Sequence, residues 1–508
     1  MDQSSMRSRT KGADPAKESV TDEKDSEAET VIIETGKGLE LKRTVGLVGA
    51  ISFTVGTMIG SGIFITPTSV LRNTGSVALN LIVWSLGGVL SLLGSFTVAE
   101  LACRAPHHGG FYAYLRLGFG NWMGFVYTWK AILFDYPSSL AVKSLTFSRY
   151  LVSVLNFCGT PELPVQMIAI TLIVTLCIVC VTSNRLSVAV NVTFLYAKLL
   201  AMAMIIVGGV YALASGNTGD SEISTGFDGT LESPATIAKS IYFVMYAYGG
   251  WQHANTLVEE VKKPKRNVPL ASIVGVLLVT VVYVMTNVSY LAAMSRDQML
   301  AADTVAVTWG RNVLGHGVAS LIIPLCVMAS TMGSANSGLF GAPRIVFASA
   351  RDGNLPEVLS YIHVRSRTPI PAIFVVTGMA IFYAVASNIV TLISLLGLTD
   401  WTFYFLVSIS LLIIRYRQRN DKNLDVPFKQ PIAVIVLFML LSLYLVVMPQ
   451  IEGVTIDLLY AVVFLFIGLV VFFIFTCVKN RTTLCDGFVT TVQLLLQVGP
   501  TVPFALSD

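Results

Sequence analysis

Lys198, in the run NVTFLYAKLLAMAMIIVGG, and Asp135, in ILFDYPSSL, are charges set inside apolar stretches. An unpaired charge there is costly and calls for a counter-group or a function. Lys198 could support a negative group or snorkel to an interface two turns away, while Asp135 could face a cavity or pair with Lys130. A second kind of chemistry belongs to the backbone. The stretch VGAISFTVGTMIGSGIFITPTSV carries Gly56, Gly60 and Gly62 with Pro67 beyond, and AKSIYFVMYAYGGWQHANTLVEE carries Gly249 and Gly250 followed by Gln252, His253 and Asn255. Glycine weakens a helix and proline removes a donor, so both stretches are natural places to unwind. Unwound helix ends offer N–H groups to a carboxylate and C=O groups to an ammonium without a buried charged side chain, and the constant part of an amino acid has this polarity. A packing seam is the blander use of these glycines, since Gly56 and Gly60 have GxxxG spacing. Tyr246, Tyr248 and Trp251 could gate such a site or simply pack.

The elements that must position these groups are membrane helices. The 508 residues are 54 % apolar and 13 % charged, with a mean hydropathy of +0.71, against about 25 % charged residues in a soluble domain. Apolar runs long enough to cross a hydrocarbon core of about 30 Å recur along the chain. They predict twelve helices, at 44–71, 77–102, 120–150, 164–182, 190–213, 236–258, 268–292, 318–342, 370–388, 391–414, 431–449 and 456–477. Residues 1–40 are polar and nearly free of aromatics, which predicts a disordered tail. No apolar region near Met1 resembles a signal peptide.

The two glycine breaks fall in the first and sixth segments, at matching places in two groups of five. That predicts an inverted repeat, residues 41–213 and 236–414, with the substrate held midway through the bilayer, followed by two further helices at 431–477 and a tail at 478–508. With the N-terminus inside, the basic residues Arg104, Arg116, Lys262, Lys263, Lys265, Arg266, Arg365, Arg367 and the cluster RYRQRNDK fall on the inner side, and the acidic Asp220, Glu222, Asp228 and Glu232 on the outer. Both termini are therefore expected in the cytoplasm. This distribution makes the net charge of +4 an orientation signal rather than a nucleic-acid face. Glu100 ends the second segment, one turn before Arg104.

Enzyme classes find no support: no phosphate loop, zinc triad or nucleophile elbow occurs. Cys177 and Cys180 have CxxC spacing but sit in the apolar run TLIVTLCIVC without a second pair, so no metal or cofactor is expected.

Three runs, IGSGIFITP (59–67), AYGGWQHANTLVEEVKKPKRNVP (247–269) and GSANSGLFGAPRIVFASARDGNLP (333–356), resemble the signature segments of the L-type amino acid transporter family, the light subunits of heteromeric amino acid transporters. The resemblance extends over residues 42–478. It implies the five-plus-five fold with two added helices, a plasma-membrane location among lipid, and sodium-independent exchange of amino acids. It implies that Gly60, Ser61, Gly62 and Ile63 hold the substrate carboxylate, with carbonyls near Thr57 and Met58 towards the ammonium. Tyr246, Ala247, Gly249 and Gly250, with the polar Gln252 and Asn255, complete the site. Lys198 matches the family lysine that occupies the space of a sodium ion. Asp135, Lys143, Gln252 and Asp400 depart from the usual pattern. Members favouring cystine and dibasic substrates tend to carry Asp where this chain has Gly249, so neutral, large amino acids are the first expectation; cationic, broad-specificity or polyamine transport is the alternative. Light subunits also carry a cysteine between the third and fourth helices that binds a single-span glycoprotein heavy subunit. Cys158, in SVLNFCGTPELP, stands there.

Overall fold

The computed structural model describes residues 46–104, 110–155, 161–182, 184–215, 223–251, 261–315, 317, 321–351, 353, 355–363, 368–420, 426, 428–451, 456–477, 491 and 493–499. The expected tail at 1–40 lies outside the described residues, as do Gln252, Asn255 and Cys158. The fold is all-α and crosses a membrane many times. Among the described residues nine helical segments are long and apolar enough to span: Leu47–Ile65, Val77–Arg104, Glu162–Thr182, Tyr196–Ala214, Arg266–Ala293, Ile322–Pro343, Ile389–Arg417, Ile432–Gln450 and Ile456–Ile474.

The three other segments expected to span are also helical, and each falls short for a physical reason. Ile370–Ala386 is apolar but has 17 residues. Pro234–Tyr248 stops after 15 residues, where Gly249 leaves the helical region and Gly250 takes φ +117°. The third segment runs as Asn121–Lys130, a five-residue π-helical turn Ala131–Asp135, and Tyr136–Val154. Lys130, Asp135, Lys143 and Arg149 raise its polarity. A π-turn is rare and recurs at functional sites, because the wider ring re-aims the side chains that follow.

Local chemistry explains the ends. Pro234 begins its helix, where its missing N–H costs nothing, and Ser233 accepts from the Thr236 N–H. Ser295 and Gln298 form a reciprocal capping box for Arg296–Ala301. The first break is sharper. Helical bonding ends at Met58, Ile59 is extended (ψ 101°), and the helix restarts at Gly62 and bends again before Pro67–Thr74, which Gly75 ends with φ +75°.

At one end of the helix Val77–Arg104, Glu100 is fully buried and binds Arg104 at 2.7 Å, Arg415 by two nitrogens, and the Gln430 N–H at 3.0 Å. A buried carboxylate with this many donors ties three distant parts of the chain together. The pairing with Arg104 one turn on matches the spacing in the sequence. At Ile362–His363 the chain pairs antiparallel with Val498–Gly499, and Val498 packs on Tyr361 and Ile370.

The cysteine expectation is corrected. Cys103, Cys177, Cys180 and Cys326 are all thiols, and no cysteine pair at disulfide distance occurs among the described residues. Cys158 lies outside them. The covalent heavy-subunit partnership is therefore withdrawn.

Candidate functional site

The two breaks meet face to face. A Cβ built on Gly62 would overlap Ala247, lying 2.8 Å from its Cβ and 3.0 Å from its N, and one built on Gly250 would lie 2.7 Å from the Thr57 carbonyl oxygen. Glycine is needed at both places, at Gly62 for close approach and at Gly250 for close approach and positive φ. Thr57 Oγ1 also donates to the Gly250 carbonyl at 3.4 Å.

Side chains from other helices hold the exposed backbone. Tyr283, fully buried on Pro264–Ala293, donates towards the Met58 carbonyl at 2.9 Å and the Ala247 carbonyl at 3.0 Å, so a single hydroxyl bridges both breaks. Lys198 Nζ donates to the Ile59 carbonyl at 3.1 Å with the residue 6 % exposed. The ammonium therefore turns towards the first break instead of snorkelling to an interface. Ser330 donates to the Gly60 carbonyl at 3.4 Å. These donors lie against the carbonyls of Met58, Ile59 and Gly60, the Met58 carbonyl sharing the one Tyr283 proton with that of Ala247. On the other side of the break the restarted helix leaves its first N–H groups, around Gly62 and Ile63, without intrahelical acceptors.

Of the residues expected to form the site, Thr57, Met58, Gly60, Ser61, Gly62, Ile63, Ala247, Gly249, Gly250 and Lys198 lie on or against the two breaks, with Met58, Ser61 and Ile63 buried. The buried Ser61 Oγ has no hydrogen-bond partner. The Tyr246 hydroxyl faces the hydroxyls of Ser61 and Ser139 but closes a hydrogen bond of normal geometry to neither. Two polar groups without partners beside a helix break are what a dry polar ligand would satisfy.

Asp135 lies in a charge cluster on the third segment. Lys130 Nζ is 2.9 Å from Asp135 Oδ2 and 2.5 Å from Asp400 Oδ1, and it lies 5.2 Å from the centroid of the Phe403 ring. Tyr404, one turn from Asp400, has its centroid 5.3 Å from that of Trp251, the residue after Gly250. The sequence offers the Lys130–Asp135 pair as one of two readings, whereas Asp400, 270 residues from Lys130, stands in it only as a departure from the family pattern. Reading the sequence also missed Tyr283. Its only signal is a tyrosine within the apolar run VLLVTVVYVMTNV, whose hydroxyl must find an acceptor when buried.

Residues 45–475 match the model of a family described as amino acid permease. The chain is similar to the b(0,+)-type amino acid transporter 1 of Homo sapiens, 37 % identical over 467 residues that cover 91 % of this chain and 94 % of the relative. It is similar to the cystine/glutamate transporter of Homo sapiens, 36 % identical with 80 % of each chain covered. It is also similar to the large neutral amino acids transporter small subunit 2 of Rattus norvegicus, 38 % identical over 80 % of this chain and 75 % of the relative.

Proposed function

The chain belongs to the amino acid permease family, and on that premise we propose that it is a sodium-independent amino acid exchanger of the cell surface that works by alternating access. The observation that carries this reading is the contact of the two helix breaks, Gly62 on Ala247 and Gly250 on Thr57, with Lys198 seated on the Ile59 carbonyl. The N–H groups of the restarted helix suit a carboxylate. The second break, with Tyr246, Ala247, Gly249, Gly250 and the polar Gln252 and Asn255, suits the rest of the substrate. An ammonium held at Lys198 supplies the positive charge that a coupling sodium ion would otherwise bring.

In this reading residues 41–213 and 236–414 are the inverted repeats, 431–477 the two added helices, and the tails before 41 and after 477 are cytoplasmic. Closing and opening then rock one set of helices about the fixed breaks.

We infer a broader substrate class than the neutral, large amino acids of the first expectation. The names of the relatives cover b(0,+)-type, cystine/glutamate and large neutral amino acid transport, which supports amino acids as cargo without choosing a side-chain charge. A cationic side chain needs a carboxylate to pair with, and Asp135 and Asp400 place two around the single ammonium of Lys130. We therefore favour exchange that accepts cationic as well as neutral side chains over the neutral-only reading.

The test is uptake of labelled leucine, arginine and cystine into proteoliposomes with and without internal unlabelled amino acids. Exchange predicts saturable uptake that needs an internal partner and is unchanged when choline replaces sodium. Uptake that never saturates and needs no internal amino acid would mean a channel.

A further inference from the structure

Lys130, Asp135 and Asp400 hold one positive and two negative charges within a single ammonium's reach, a combination that pinning helices together does not require. One carboxylate would pair the lysine. A second in the same site adds like-charge repulsion, and an excess charge at membrane depth is costly unless something uses it. Lys130 is 1 % exposed and its ammonium is taken up by both carboxylates, whereas Asp135 Oδ1 is buried without a hydrogen-bond partner. Asp400 keeps 38 % of its side chain exposed.

The cluster also lies on a line from the helix breaks. Asp135, Ser139 and Lys143 recur every four residues, so they share the face of the third segment that starts at the π-turn. At the far end Lys143 Nζ approaches the Ser334 carbonyl at 3.5 Å, and Ser334 Oγ lies 3.5 Å from where a Cβ on Gly60 would stand. Midway, Ser139 neighbours the Tyr246 hydroxyl. Eight residues of helix span about 12 Å. That face therefore passes from a cation beside the first break, past hydroxyls, to the surplus carboxylate.

We propose that Asp135, with Asp400, is the specificity-determining pair of the site and receives the cationic side chain of an amino acid whose carboxylate sits at Gly60–Gly62. This rests on the amino acid exchange reading. Lys130 cancels one of the two negative charges. An arriving guanidinium or ammonium finds one charge to neutralise, and a neutral side chain leaves behind a carboxylate already half satisfied by Lys130. A pair built this way admits both kinds of cargo, which two uncompensated carboxylates would not.

Arginine and citrulline are nearly isosteric and differ in side-chain charge, so they isolate this term. With the full chain in leucine-loaded proteoliposomes, arginine should enter about tenfold faster than citrulline at low concentration, a value between those of exposed and buried ion pairs. An inside-negative potential should speed arginine entry and leave citrulline entry unchanged. Asp135→Asn and Asp400→Asn should each bring the arginine-to-citrulline ratio towards one. Asp135→Glu, which keeps the charge and is the variant to use if the amides fail to fold, should retain a preference. A merely structural role would lower both substrates together and leave the ratio alone. Equal entry of arginine and citrulline in the wild type, or a ratio unmoved in the amide variants, overturns the proposal and leaves the exchanger intact. Absence of leucine-for-leucine exchange in the wild type would instead overturn the exchanger reading.

Discussion

Replacing Gly62 by alanine tests whether transport depends on the contact between the two breaks or only on their being unwound. The added Cβ would sit 2.8 Å from Ala247 Cβ and 3.0 Å from Ala247 N, and closer still to its Cα. Carbon atoms at rest keep about 3.5–4.0 Å apart, so the segments must separate by about 1 Å. None of the obstructing atoms can rotate away, because all are backbone or Cβ. Overpacking of this kind costs about 1–3 kcal/mol, and a misplacement of about 1 Å in a positioning element can cost about a hundredfold in rate. Gly60→Ala is the control. Its Cβ would find Ser334 Oγ at 3.5 Å and the Met58 carbonyl oxygen at 3.9 Å, which are ordinary contacts. Initial rates of labelled leucine uptake, normalised to the protein inserted in the membrane, should therefore fall severely in Gly62→Ala and mildly in Gly60→Ala. Near-normal kinetics in correctly inserted Gly62→Ala, or equal losses in the two variants, would refute the steric argument.

Three further outcomes follow from the same geometry. Lys198→Met keeps most of the apolar stem but removes the ammonium from the Ile59 carbonyl, so uptake should drop while remaining independent of sodium; full activity in this variant would make Lys198 dispensable. Tyr283→Phe leaves the Met58 and Ala247 carbonyls without their shared donor, which should cost about 1–3 kcal/mol and lower the melting temperature in detergent. Glu100→Gln leaves Arg104 and Arg415 without their carboxylate in a buried place, where breaking a pair costs about 3–5 kcal/mol. It should melt well below the wild type, and an unchanged melting curve would show that Glu100 is not the tie described.

That the chain is a bundle of membrane-spanning helices was legible because it is written in local composition. Long apolar runs mark the spans, and the Gly60–Gly62 and Gly249–Gly250 stretches mark where helical bonding stops, at Met58 and at Tyr248. What was not legible depends on partners distant in sequence or on bonding register. The π-turn Ala131–Asp135 differs from an α-helix only in which carbonyl each N–H chooses, and AILFD reads as ordinary helix. Lys130 with Asp400, Glu100 with Arg415 and Tyr283 with Met58 are separated by 270, 315 and 225 residues. No spacing rule reaches across such intervals. Cys158 shows the opposite failing: an isolated cysteine between two helices invited a partner through resemblance, and no disulfide among the described residues supports one.

The bridge made by Tyr283 has a consequence in counting protons. A phenol owns one O–H, yet this one lies within 3.0 Å of two carbonyls belonging to different breaks. At any instant it can serve one of them fully or both poorly. A substrate ammonium brings three donors of its own. If the loaded carrier lends one of them to these carbonyls, the empty carrier must pass through its closed, dry form in donor debt, at a penalty of about 1–3 kcal/mol for an unserved carbonyl. Returning with cargo is then faster than returning empty by about fivefold to a hundredfold, since each 1.4 kcal/mol is a factor of ten. Such kinetics make a carrier swap one molecule for another, with no need for an ion gradient to forbid the empty return.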